Sequence, residues 1–129
     1  MRPETADYLG KARHCLAGAK KIAAAEVSDV AAREAYLATY HAAEAYIFEK
    51  TGRAVKTHRG VRSQLNRLAQ REPRIGREFL AFLAEGYKLK AIADYGVGSE
   101  IGIITAGDAS AAIATAGRFI DIIAALLSP

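Results

Sequence analysis

At 129 residues, 51% of them hydrophobic, the chain is the size of one domain and long enough to bury a core without disulfides or a structural metal. No apolar run approaches the roughly 18 residues that span a membrane, the opening Met1-Arg2-Pro3-Glu4-Thr5 lacks the apolar stretch of a signal peptide, and the single Cys15 excludes an internal disulfide, which points to a cytosolic protein. The net charge of +4 is modest, but it is unevenly spread: Lys50 to Arg77 holds nine basic residues against one acid, Glu72. That concentration is the electrostatic footprint of an anionic partner, RNA or a nucleotide phosphate first. The alternative is a solvated basic face with no ligand.

The apolar spacing predicts helices throughout and no β-sheet. The first runs from about Glu4 to Ala25, with Tyr8, Ala12, Cys15, Ala19 and Ile22 recurring every three or four residues. Cys15 lies on that apolar face, so it reads as packing. Val27-Ser28-Asp29 breaks the pattern, with Ser28 or Asp29 as the N-cap of a second helix. The second helix carries an aromatic and apolar face of Tyr36, Leu37, Tyr40, Ala43, Tyr46 and Ile47 to about Lys50, where Thr51-Gly52 stops it. A third, from about His58 to Arg71, has Thr57 as its cap and Val61, Leu65 and Leu68 inside. Pro73 predicts a fresh start for a fourth helix that reaches Asp94 with Ile75, Phe79, Phe82 and Leu83 inward. Gly96, Gly98 and Gly102 then make an irregular connection, with Ile101 to Ile104 a short extended piece. Thr105 and Asp108 form a capping pattern for a last helix, Ala106 to about Leu127. The four longer helices predict an antiparallel bundle, and the third is a short basic accessory.

Several constellations carry chemistry. Lys56-Thr57-His58-Arg59-Gly60-Val61 opens the third helix, where free N–H groups and the helix dipole favour an anion. Arg62 lies one turn beyond, so Lys56, Thr57, His58, Arg59, Gly60 and Arg62 are the candidate phosphate-binding set. The competing reading is that Thr57 merely caps the helix. Basic residues sit poorly at a helix N-terminus, so another benefit must offset that cost. His14 reads as surface. His41 and Glu44 lie one turn apart on the second helix, a pair that can orient an imidazole, but the inner faces offer too few acids for a metal site. Arg53 and His58 are separated by four residues, and Lys90, Asp94 and Tyr95 gather near the end of the fourth helix. No glycine-rich phosphate loop or Ser-His-Asp arrangement occurs.

Four of these segments together resemble the HEPN-domain family of small prokaryotic helical proteins. They are Ala35–Ala45 with its Tyr36-Leu37-Ala38-Thr39-Tyr40-His41 run, Lys56–Val61, Ala93-Asp94-Tyr95, and the final helix with Ala116 and Phe119-Ile120. The resemblance runs from near Arg33 to about Ile123. It implies a bundle of four to five helices that dimerises, a link to RNA or nucleotides, and a separate minimal nucleotidyltransferase as partner in a two-gene toxin–antitoxin arrangement. It also implies, for some members, metal-independent ribonuclease chemistry by an Arg followed by a His. By position along the fold those residues fall here at Lys90 and Tyr95. Lys90 keeps the charge but not the bidentate fork, and a tyrosine is a poor general base at neutral pH. Arg53 and His58 are the alternative catalytic pair. The expectation is therefore a cytoplasmic, homodimeric HEPN protein without cofactor or membrane attachment, non-catalytic or weakly catalytic. Its rivals are a metal-independent endoribonuclease toxin and a purely structural dimerisation module.

Overall fold

Small side chains decide which helix sits in the middle. The second helix carries alanines at 31, 32, 35, 38, 42, 43 and 45, and every one of them is fully buried. An alanine surface lets neighbouring backbones come close on several sides at once. The computed structural model describes residues 1–95 and 104–128, with the side chains of 91–95 left out of the description. Its elements are α1 (Pro3–Ala24), α2 (Ser28–Thr51), α3 (His58–Ala69), α4 (Arg77–Tyr95) and α5 (Ala106–Leu127). Helix α2 packs against all four others, whereas α1 and α4 share no packing among the described residues. The fold is all-α, as expected, with α2 as its axis. The glycine connection and most of the extended piece anticipated at Ile101 to Ile104 lie outside the described residues.

One apolar cluster joins the elements, with Leu9 and Ala12 from α1, Tyr36 and Ile47 from α2, Val61 and Leu65 from α3, Phe79 and Leu83 from α4, and Phe119 and Ile123 from α5. The Phe79 and Phe119 rings meet at 5.1 Å, tilted by 40°, the offset geometry that aromatic pairs favour. At Gly86 a Cβ would fall 2.5 Å from Tyr36 Cδ1, so the glycine is what lets α4 close onto α2 at that ring.

Helix ends show where local chemistry agreed with the pattern and where it did not. Thr57 caps α3, its hydroxyl accepting from the Gly60 N–H at 2.9 Å. Thr105 and Asp108 form a complete reciprocal capping box on α5. Gly52 ends α2 at φ 72°. Two expectations are corrected. The N-cap of α2 is Val27, with no side-chain cap, and Ser28 and Asp29 lie inside the helix. The chain turns there by a Schellman closure of α1, in which the Glu26 N–H donates to the Ala23 carbonyl and the Val27 N–H to the Ile22 carbonyl. Likewise α4 begins at Arg77 and not at Pro73. Pro73 instead occupies the second position of a turn closed by the Ile75 N–H on the Glu72 carbonyl at 3.0 Å, which drives Ile75 into the core.

Helix α5 also departs from the expectation about apolar runs, being long and apolar enough by composition to cross a membrane. Asp108, Arg118 and Asp121 interrupt any unbroken run, but its alanines and isoleucines keep the mean hydropathy high. Here it is a core helix, burying Ala109, Ala112, Ala116, Phe119, Ile120, Ile123 and Leu127.

The Schellman closure places Glu26 at φ 66°, a left-handed position that costs a side chain about 1–2 kcal/mol. Glu26→Gly should therefore stabilise the protein by about 0.5–1 kcal/mol after the glycine's greater chain entropy is counted. A denaturation midpoint that falls in this variant would contradict the closure.

Candidate functional site

The structure gathers titratable groups where α2, α3 and the second half of α4 meet. His58, the first residue of α3, is the centre. Its Nδ1 lies 2.6 Å from the Tyr36 hydroxyl. Its ring stacks on Tyr40 at 4.3 Å and 25°, and it meets the Tyr87 ring in an edge-to-face contact at 5.2 Å and 61°. The Arg62 guanidinium, one helical turn along α3, sits 5.9 Å from the Tyr87 ring centroid. Tyr40 also meets the ring of His41 at 5.6 Å and 70°, and His41 Nδ1 is 2.6 Å from Glu44 Oε1.

Burial and charge set the protonation of this cluster. Tyr36 is fully buried, and burial drives its phenol far above the ordinary tyrosine range. The phenol therefore stays protonated, and its hydrogen, which has His58 Nδ1 as its partner, assigns the neutral ring's own proton to Nε2. Tyr40 is likewise pushed up, to about 12, by burial first and then by the Glu44 carboxylate. Burial lowers the His58 pKa, and the positive charges of Lys90 and Arg62 lower it further. At His41 the Glu44 carboxylate accepts the Nδ1 proton, so a neutral His41 keeps a free lone pair on Nε2. When both rings are neutral, these partners assign them opposite tautomers, with His58 presenting a donor and His41 an acceptor.

The residues anticipated for phosphate binding are divided among different tasks. His58 and Arg62 enter the cluster. Thr57 is engaged in capping, and Gly60 is required inside the protein, since a Cβ there would fall 2.6 Å from Val55 Cγ1 and 2.8 Å from Thr57 Oγ1. Lys56 and Arg59 are exposed at the start of α3. Of the two catalytic pairs anticipated, Lys90 acts electrostatically on His58, while the side chain of Tyr95 lies outside the described residues. Arg53 lines a separate pocket with Gln64 and Arg67, on the opposite edge of α3 from His58. The four-residue spacing of Arg53 and His58 therefore spans a loop and does not put them on one face. Tyr87 was not singled out in the sequence. Its signal was the i, i+3 spacing to Lys90 on α4.

Elsewhere, His14 is exposed. Cys15 is half-buried, and its thiol is pushed up to about 11 by burial first and then by the Glu34 carboxylate beside it, so it is an inert packing group. No cluster of three or more metal-ligating side chains occurs among the described residues.

Compared with known families, residues 5–126 match the HEPN domain. The chain belongs to the HEPN domain family. A comparison with curated proteins returns no match. The match takes in all five helices but for their outermost residues, so every residue of the His58 cluster lies inside the HEPN domain.

Because the folded-state pKa of His58 is depressed, protonation favours the unfolded chain. Its stabilising contribution is full above the ordinary histidine value of about 6.5 and is lost as pH falls below it. The HEPN domain should lose stability between about pH 7 and pH 5, and His58→Gln should flatten that part of the profile in thermal melts. An unchanged slope in the variant would remove His58 as the cause.

Proposed function

We propose that this HEPN domain is a cytoplasmic, homodimeric component that binds RNA or a nucleotide phosphate. In this reading it acts with a minimal nucleotidyltransferase in a two-gene, toxin–antitoxin type system and is weakly catalytic or non-catalytic itself. One observation carries the binding reading. Lys90 and Arg62 each oppose a proton on His58 more strongly than the Glu44 carboxylate favours one, so cationic charge predominates around that ring, and a field that repels a proton attracts a phosphate. The chemistry agrees: His58 Nε2–H is a fixed donor, Arg62 offers a planar fork, and Tyr87, 45% exposed, offers a face for an unpaired base. The partner and the dimer rest on what membership of the family implies, and the partly exposed apolar surface of α5 is compatible with a second copy.

The test is binding of labelled single-stranded RNA and of free nucleotides at low salt. Arg62→Ala and Lys90→Ala should each weaken binding roughly 10-fold or more, as expected when a charge-assisted contact is removed, and affinity should fall steeply with added salt. Absence of binding to RNA, nucleotide and co-expressed nucleotidyltransferase alike would sink the reading.

A second reading, a metal-independent endoribonuclease, is favoured by the opposite tautomers of the two imidazoles. His41, oriented by Glu44, would take the 2′-hydroxyl proton on Nε2. The 2′-oxygen then bonds to phosphorus, the bond from phosphorus to the 5′-oxygen breaks, and the leaving oxygen recovers the proton from His41. His58 Nε2–H, Arg62 and Lys90 would hold the phosphate. On this reading RNA is cut in the presence of a chelator, and His41→Ala lowers the rate by about 10²–10⁴-fold. RNA left intact after long incubation at high protein concentration rejects it.

A further inference from the structure

The His58 cluster uses little of the basic segment. Arg62 faces it, but Lys50, Arg53, Arg67 and Arg71 lie elsewhere, lining two adjoining pockets along the opposite edge of α3. One pocket, of about 540 Å³, is lined by Lys50, Arg67 and Arg71 over Tyr46. The other, of about 450 Å³, contains Arg53 and Gln64, and Arg67 is common to both. The shared arginine makes them one groove, reaching from the end of α2 along α3.

Charge in this groove is out of balance. Its one acidic lining residue, Glu72, is held by Arg74 at 3.2 Å, which keeps its carboxyl below the usual range. Arg67 is held by the neutral Gln64, at 2.7 Å and 3.3 Å. Arg67, in the last turn of α3, and Arg71, just beyond its end, both line the first pocket, so like charges gather there. The Lys50 ammonium lies 5.6 Å from the Tyr46 ring centroid, which steers it along the groove wall. A single phosphate could occupy either pocket, but only a ligand with repeated charges answers both. We propose that this groove is a second site, a track for the phosphodiester backbone of a single-stranded RNA whose reactive or recognised nucleotide sits at His58. The inference rests on the reading that the ligand is RNA.

The experiment compares fluorescence anisotropy of the full chain with labelled oligoribonucleotides of about 4 and about 16 nucleotides, the range of lengths that single-strand grooves accommodate. Arg67→Ala/Arg71→Ala should weaken the long strand and leave the short one unchanged, and it should reduce the salt slope for the long strand by about 1.4, or about 0.7 for each phosphate released. A matched DNA strand should be weakened alike by the double variant, because the groove meets phosphates and not the 2′-hydroxyl. Arg62→Ala should weaken both lengths. Arg67 and Arg71 are exposed, and an unchanged thermal melt confirms the fold of the double variant. If the double variant binds the long strand with wild-type affinity and slope while Arg62→Ala still weakens it, the groove is overturned and the His58 site stands. If wild-type protein binds neither length, both fall.

Discussion

The contact between the Tyr36 hydroxyl and His58 Nδ1 ties the interior of the protein to its chemistry. Tyr36 is wholly buried on the central helix, yet its one polar atom ends at 2.6 Å from the imidazole that opens α3. A buried phenol without a partner would cost roughly 1–3 kcal/mol, so the bond satisfies the core and orients the ring in one act. Gly86 makes it possible, because any side chain there would collide with the Tyr36 ring. The position of α4, and with it of Tyr87 and Lys90, is thus set by the same tyrosine that fixes the tautomer of His58.

Charge placement runs against stability in this region. Histidine and arginine open α3, where the helix dipole disfavours positive charge. Burial then withholds the proton from His58. Two edges of one short helix share the basic residues: the turn spacing of His58 and Arg62 turns that pair toward α4, while Gln64 and Arg67 look the other way, toward Arg53. Val61 and Leu65 between them anchor the helix in the core. An amphipathic helix normally sets one polar face against one apolar face. Here the polar side divides again into a cluster and a groove.

The helices were legible in the sequence because apolar spacing and capping residues are local signals. Thr57 and the Thr105–Asp108 box act within three residues, so their chemistry could be read directly. Pro73 misled because the same fixed φ suits a turn as well as a helix start, and the burial of Ile75 decided for the turn. Ser28 and Asp29 misled because a closure on the preceding helix turned the chain without any side-chain cap. The site was legible only in parts. Lys90, His58 and Arg62 each stood out, and so did the His41–Glu44 pair, but His58 meets Tyr36 across 22 residues of chain. Periodicity assigns residues to faces. It does not say which face meets which, and the short spacing of Arg53 and His58 drew attention to a proximity in sequence that the fold does not use.

The lowered proton affinity of His58 determines what kind of signal the cluster registers. Around neutral pH the ring is uncharged, so the positive potential belongs to Arg62 and Lys90. His58 is therefore proton-silent around neutral pH. Ionic strength is what tunes the site, since mobile ions compete for the same field. Acidification adds a further positive charge beside the arginine and the lysine, tightening the hold on an anion while loosening the fold that presents it.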